Sequence, residues 1–387
     1  MDKTKLNFAS KAIHVGQEPD EKTGSVIVPL YQTSTYAQKS PGEHMGYEYS
    51  RTDNPTRHAY EQCLASLENA NYCASFASGM AAIHCIVESL EKNVNIVCSD
   101  DVYGGTFRLF DKVFTKHGLK FSYLDFSNLN EVEEFFNKNK VDVSWIETPS
   151  NPMLKLIDIK KLSNLCKTHD VKLVVDNTFA SPFIQNPLNL GADMVVHSTT
   201  KYIGGHSDVV GGAIMCNDAN WFGKIKFLQN SIGAVPSAFD TWLSLRGVKT
   251  LALRMQRHCE NASKISNFLK NHSKVNQVIY PGIEDHPNHG LVREQMQGYA
   301  GGMLSVYLDM NLNQTKAFLS HLKLFILAES LGGVESLIEH PAIMTHASLP
   351  AEKRKALGIT DAFIRISVGI EDIEDLQNDL QYALSKV

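Results

Sequence analysis

Between residues 58 and 246 the chain alternates two patterns. Short apolar runs (NIVCS, KFSYLDF, VSWIET, KLVVDN, DMVVHS and GGAIM) are too short for helices and read as buried strands. The stretches TFRLFDKVFTKHG, NEVEEFFNKNK and IKKLSNLCKTHD return an apolar residue every three or four positions, the spacing of an amphipathic helix. In the second of these, EVEEFF is a solvated face with its apolar side turned inward. Strand, helix and strand in succession predict a mostly parallel sheet with helices on both faces, and such sheets carry their sites at the strand C-termini.

The flanks differ. Residues 247–387 predict a smaller α+β region: a helix over roughly 248–271, strand-like QVIY and GGMLSVYL, a helix near 313–322, strand-like FIRISVG and a closing helix. Residues 1–57 are rich in Gly, Pro, Ser and Thr and lack sustained helical periodicity, which predicts an extended arm. Such an arm has no core of its own and needs a surface to lie on. Within YEYSRTDNP, alternation sets Tyr47, Tyr49 and Arg51 on one side.

Length and composition agree with this division. A chain of 387 residues exceeds what one hydrophobic core supports. With 43% apolar residues, 20% charged residues and a net charge of -5, it reads as globular, and its scattered Lys and Arg offer no basic face to a nucleic acid. The seven cysteines are odd in number and mostly set in apolar runs, as reduced thiols are. With no signal-like apolar core at the N-terminus and no stretch long enough to span a bilayer, a cytoplasmic location is expected, without a membrane partner.

The chemistry concentrates where strands end. KLVVDN ends on Asp176, and DMVVHSTTK runs into Ser198, Thr200 and Lys201. A lysine amine in surroundings that disfavour its ammonium form can capture an aldehyde cofactor, and a carboxylate facing a pyridine nitrogen keeps that nitrogen protonated as an electron sink. Ordinary strand-end charges are the competing account. Gly79 and Met80 open an amphipathic helix after Ser78, and with Ser198 and Thr200 they offer a place for a phosphate, or simply a helix cap. Tyr103, beside two glycines, can stack on a flat ring or merely occupy a turn. Arg365 sits inside an apolar strand, where its cation requires an anion: a substrate carboxylate or a structural ion pair. His286 and His289 have metal-like spacing, but no cysteine or carboxylate set completes a site, so they are assigned to a surface loop and no metal is expected. The glycine fingerprint of a dinucleotide site is missing, which argues against a nicotinamide dehydrogenase.

The stretches YEYSRTDNPTR, FASGMAA, DDVYGGTFR, IETPSNP, VVDNTF, HSTTKYIGGHSDVV, LAESLGGVESL, PAIMTHAS and IRISVGIED, in that order, resemble the Cys/Met-metabolism PLP-dependent enzymes of trans-sulfuration, and the likeness covers nearly the whole chain. The resemblance implies the PLP type I fold and pyridoxal 5'-phosphate as cofactor. It makes Lys201 the Schiff-base lysine, Asp176 the pyridinium partner and Tyr103 the stacking ring. It gives Gly79, Met80, Ser198 and Thr200 to the phosphate, and sends Tyr49 and Arg51 into a neighbouring subunit's site. It puts Asn151 near the ring hydroxyl, Ser330 and Arg365 at the substrate carboxylate, and makes Arg108 a further substrate contact. The implied assembly is a homotetramer of two active-site dimers, acting on a small amino-acid substrate. Glu329 matches the acidic position of the γ-lyases and γ-synthases, and Gly105 stands where methionine γ-lyases carry cysteine. FASG and SIGAVPSAFD resemble γ-lyases more than γ-synthases, so the implied reaction is α,γ-elimination of L-cystathionine. The alternatives are γ-replacement of an O-acyl-L-homoserine with cysteine, β-elimination and, in another class, a PLP-binding homologue without turnover.

Overall fold

The computed structural model describes residues 5–345, 347, 352, 354 and 357–387. Its larger sheet holds β1 (Tyr72–Phe76), β2 (Asn95–Ser99), β3 (Lys120–Leu124), β4 (Val143–Glu147), β5 (Lys172–Asp176), β6 (Met194–Ser198) and β7 (Gly212–Cys216), in the spatial order β1-β7-β6-β5-β4-β2-β3. From β3 across to β6 the strands are parallel, as the alternating pattern predicts. The last run, GGAIM, differs: residues 199–211 hold no helix to carry the chain back across the sheet, so β7 returns antiparallel to β6 and pairs antiparallel with β1. Helices cover both faces of the sheet. Val174, Met194 and Val196 meet one layer, while Leu173 and Val175 meet the other, which is why these strands read as unbroken apolar runs.

A second sheet holds β8 (Val275–Ile279), β9 (Met303–Leu308), β10 (Ile326–Leu327), β11 (Leu337–Glu339) and β12 (Phe363–Ser367), in the order β10-β11-β12-β9-β8. The helix expected over 248–271 spans Leu251–Lys270 and follows a separate helix, Ala238–Val248. One apolar cluster runs from Ala12 and Tyr60 through Val195 and Met255 to Ile366 and Leu380, so the layers of the two sheets share a core. Among the described residues no helix is long and apolar enough to cross a membrane, and all seven cysteines are buried and unpaired.

Two expectations need correction. Within the arm, Phe8–His14 is helical, with Ala12 buried in the shared core and Lys11 Nζ bonded to Asn69 Oδ1 at 2.8 Å. Two turns are too few for periodicity to reveal, and tertiary packing supplies the stability that so short a helix lacks. His286 and His289 are half-buried rather than free at the surface. Each ring meets a backbone carbonyl, that of Leu154 at 3.0 Å and that of Pro281 at 2.9 Å, so the pair fastens a loop.

Candidate active site

The ends of β4, β5 and β6 and the N-terminus of the helix Gly79–Glu88 open on one cavity of about 290 Å³. Its wall brings together Gly79, Met80, Tyr103, Asn151, Asp176, Ser198, Thr200, Lys201, Glu329, Ser330 and Arg365. Lys201 leaves β6 on a tight turn and donates from Nζ to Ser330 Oγ at 2.7 Å. Burial, then the nearby Arg365 guanidinium, push its amine down to about 8, against the opposing pull of Glu339 and Glu329. A lysine so placed is a nucleophile and a base near neutral pH. Its partner Ser330 has φ 91, a left-handed backbone that a serine adopts only where its surroundings impose it. Gly332, just beyond, lies so close to the lysine turn that a Cβ there would stand 2.7 Å from the Tyr202 nitrogen.

Asp176 ends β5 with its carboxylate turned into the cavity. Both bonds from Thr178, 3.0 Å from N and 2.6 Å from Oγ1, fall on Oδ1, which leaves Oδ2 without a partner among the described residues. Burial raises this carboxyl. Directly opposite it in register on β4 is Glu147, also buried, whose Oε2 accepts from the Tyr103 N–H at 2.8 Å. Burial and the charge of Asp176 push Glu147 well above the usual carboxylate range. Two buried carboxyls side by side do not both ionise at little cost. With two donors on Asp176 and one on Glu147, Asp176 carries the charge and Glu147 the proton.

The helix Gly79–Glu88 starts with Ser78 Oγ capping the Ala81 N–H at 3.0 Å, while the N–H groups of Gly79 and Met80 find no acceptor among the described residues. A Cβ at Gly79 would lie 2.9 Å from the Ser198 side chain, so the bare glycine lets the helix N-terminus pack close against the end of β6. The Thr200 hydroxyl is held by Gly211, accepting from its N–H at 3.0 Å and donating to its carbonyl at 3.2 Å. The Tyr103 ring lies against Gly105, where a Cβ would come within 2.4 Å of Cε1; a bare glycine there admits the ring.

Arg365, on β12, is 3% exposed. It donates to Asn151 Oδ1 at 2.9 Å and to the Ser330 carbonyl at 2.7 Å, and its Nη2 lies 3.1 Å from Glu339 Oε2. Its Nε is buried without a hydrogen-bond partner among the described residues, and the side chain lines the cavity. An aldehyde-reactive amine, a carboxylate with one free oxygen, open helix N–H groups and an aromatic ring on one cavity fit pyridoxal 5'-phosphate group by group.

Sequence reasoning missed Glu339 and Glu147. Glu339 is the cross-strand partner of Arg365, and both are charges embedded in apolar runs, SLIEH and FIRIS, so the same rule that singled out one points to the other. Glu147 ends VSWIET just as Asp176 ends KLVVDN. Three expected residues stay outside the cavity wall. Arg108 is exposed on the helix Gly104–Lys112. Arg51 donates to the Asn230 carbonyl at 2.6 Å and covers the Tyr49 ring at 5.4 Å, both on the arm. Of the motif PAIMTHAS, His346 and Ser348 lie outside the described residues.

Residues 9–385 match the model of the Cys/Met metabolism PLP-dependent enzyme family. A cystathionine beta-lyase of Coxiella burnetii is 53% identical over 98% of either chain, and a cystathionine gamma-lyase of Dictyostelium discoideum is likewise 53% identical over 98% of both. The solved structure of a cystathionine gamma synthase from Xanthomonas oryzae superposes with a TM-score of 0.95 at 40% identity, covering 98% of each chain.

Proposed function

This chain belongs to the Cys/Met metabolism PLP-dependent enzyme family, with pyridoxal 5'-phosphate as its cofactor, and within that family we propose that it catalyses the α,γ-elimination of L-cystathionine to L-cysteine, 2-oxobutyrate and ammonia. The observation that supports chemistry at the γ-position is Glu329, on the cavity wall beside Ser330 and Lys201, a carboxylate for the ammonium at the far end of cystathionine, and the likeness of FASG and SIGAVPSAFD to γ-lyases favours elimination over replacement.

When bound, the cofactor supplies an electron sink for the charge that develops on the substrate carbons. Lys201 would hold it covalently. Nζ would be the base that takes the Cα proton and delivers it toward Cβ, a task suited to an amine poised near 8. Asp176 Oδ2 would keep the ring nitrogen protonated, while the Gly79 and Met80 N–H groups, with Ser198 and Thr200, would take the phosphate. Arg365 binds the α-carboxylate, its plane fixed by Asn151 and Ser330. Tyr103 would cover the ring and stand as acid or base toward the departing sulfur, and Arg108 would be a further substrate contact. We assign residues 1–57 to the arm, 58–246 to the cofactor-binding unit and 247–387 to the C-terminal unit. Tyr49 and Arg51 reach the neighbouring subunit's site in a homotetramer of two active-site dimers.

Incubation with L-cystathionine alone is expected to yield L-cysteine and 2-oxobutyrate. Homocysteine and pyruvate would replace this reading with β-elimination, and turnover only with an O-acyl-L-homoserine and cysteine would replace it with γ-replacement. For the arm, mixing Lys201→Ala with Arg51→Ala subunits restores one intact site per active-site dimer; activity that fails to return refutes the shared site.

A further inference from the structure

Arg254 is a buried cation for which the chemistry above has no use. It lies on the helix Leu251–Lys270, is 4% exposed, and no carboxylate among the described residues pairs with it. Its guanidinium instead gathers backbone oxygens. Nη1 donates to the Tyr202 carbonyl at 2.6 Å, and Nη2 to those of Ile203 at 3.3 Å and Gly247 at 2.9 Å, while Nε is steadied by Thr250 Oγ1 at 3.1 Å. Two of these carbonyls belong to the residues that immediately follow Lys201.

The turn that presents Lys201 closes on itself through Gly204 N to the Thr199 carbonyl and Gly205 N to the Lys201 carbonyl, both at 2.8 Å. Like the end of any helical turn, this leaves the next carbonyls, those of Tyr202 and Ile203, without internal donors. The glycines make the approach possible. Gly205 has φ +72, and a Cβ on it would fall 2.1 Å from Arg254 Nη1, while one on Gly247 would fall 2.2 Å from the Gly204 carbonyl oxygen. The guanidinium therefore lies directly against the turn, with no side chain of Gly205 between. Burial holds this cation down to about 10, as it must where only neutral carbonyls solvate it.

We propose that Arg254 is a positioning residue for the reaction: its guanidinium caps the turn after Lys201 and fixes the aim of Nζ into the cavity. The proposal rests on the reading of Lys201 as the cofactor-bearing lysine. It joins the turn to a helix outside the larger sheet, so the lysine's aim is set from the C-terminal part of the chain. A planar fork offers its donors to the three carbonyls from two nitrogens at fixed spacing, which the single nitrogen of an ammonium does not match.

The test uses Arg254→Lys and Arg254→Met holoenzymes, each compared with wild type in two ways: the rate at which bound PLP is released on dilution, and the pH midpoint of its visible absorbance. Release about tenfold faster in the Met protein, with a smaller change in the Lys protein and a displaced midpoint in both, is the expected result. Wild-type release and midpoint in a variant whose melting temperature alone has fallen would reduce Arg254 to a structural residue and overturn the proposal. If the Met protein does not accumulate folded, Arg254→Lys decides by the same two readings. A Lys201→Ala protein separates the two layers: wild-type absorbance there sinks the cofactor reading, and this proposal with it, whereas its loss leaves the Arg254 variants to decide.

Discussion

Replacing Lys201 by Met is expected to stabilise the apoprotein while abolishing its function. The folded chain holds this amine at about 8 against an ordinary 10.5. Unfolding restores the ordinary value, so between these limits the unfolded chain binds more protons, and stability rises with pH. Below pH 8 the penalty is fully present. At about 1.4 kcal/mol for each tenfold loss of proton affinity it amounts to roughly 3 kcal/mol at pH 7 and falls to about 1 kcal/mol at pH 9.5. Methionine fills similar volume without a charge, but forfeits the bond from Nζ to Ser330 Oγ, a loss of about 1 kcal/mol. A net gain of about 2 kcal/mol at pH 7 remains, and near pH 9.5 it vanishes. Urea denaturation of both apoproteins at the two pH values measures the difference, and titrations common to both chains cancel. A variant no more stable than wild type at pH 7, or a gain that persists unchanged at pH 9.5, would refute the claim that burial and Arg365 hold the amine down.

Three further outcomes follow from the same charges. Glu339→Leu strands the Arg365 cation in the interior, with an expected loss of about 3–5 kcal/mol in urea denaturation. Because Glu339 pulls the Lys201 amine up, the same variant should capture PLP at lower pH than wild type. In Glu147→Gln the amide oxygen still accepts the Tyr103 N–H but no longer ionises. Since folding raises the Glu147 carboxyl, the wild type loses stability as pH climbs above 4.5, so the variant should be the more stable at pH 7 and lose its advantage toward pH 4.5. His258 is held down to about 4 by burial, so its contribution of about 3 kcal/mol is present above pH 6.5 and lost as pH falls toward 4; His258→Asn should flatten the acid limb of the stability profile.

The larger sheet was legible because its strands are buried on both faces, and continuous apolar runs such as KLVVDN announce that burial. Strand direction was less so. GGAIM reads like its neighbours, and only the missing helix between residues 198 and 212 marks it as antiparallel. Lys201, Asp176 and Arg365 could be found because a charge at the end or in the middle of an apolar run is anomalous. Glu147 and Glu339 obey the same rule, but their meaning lies in register: one faces Asp176 across adjacent strands, the other Arg365. A linear pattern holds no register. Arg254 sits in an amphipathic helix where an arginine looks unremarkable, and two of the three carbonyls it serves are some fifty residues earlier in the chain. The helix Phe8–His14 escaped notice because its stability comes from the core it joins rather than from its own sequence.

The cavity's charges also bear on when Lys201 acts as a base. After burial, Arg365 is what depresses the amine most, and Glu339 offsets only part of that field. An α-carboxylate arriving on Arg365 adds a second negative charge beside the same guanidinium, so the repulsion felt at Nζ falls and its affinity for a proton rises. On the proposed role of Lys201, substrate binding would thus strengthen Nζ as the base for the Cα proton. A carboxylate without an amino group isolates the effect. Saturating propionate should raise the pH midpoint for PLP capture by the apoprotein, and Arg365→Leu should abolish the rise. A midpoint that ignores propionate in the wild type would show that Arg365 and Lys201 are not coupled through the cavity, and the poise of the amine would then rest on burial alone.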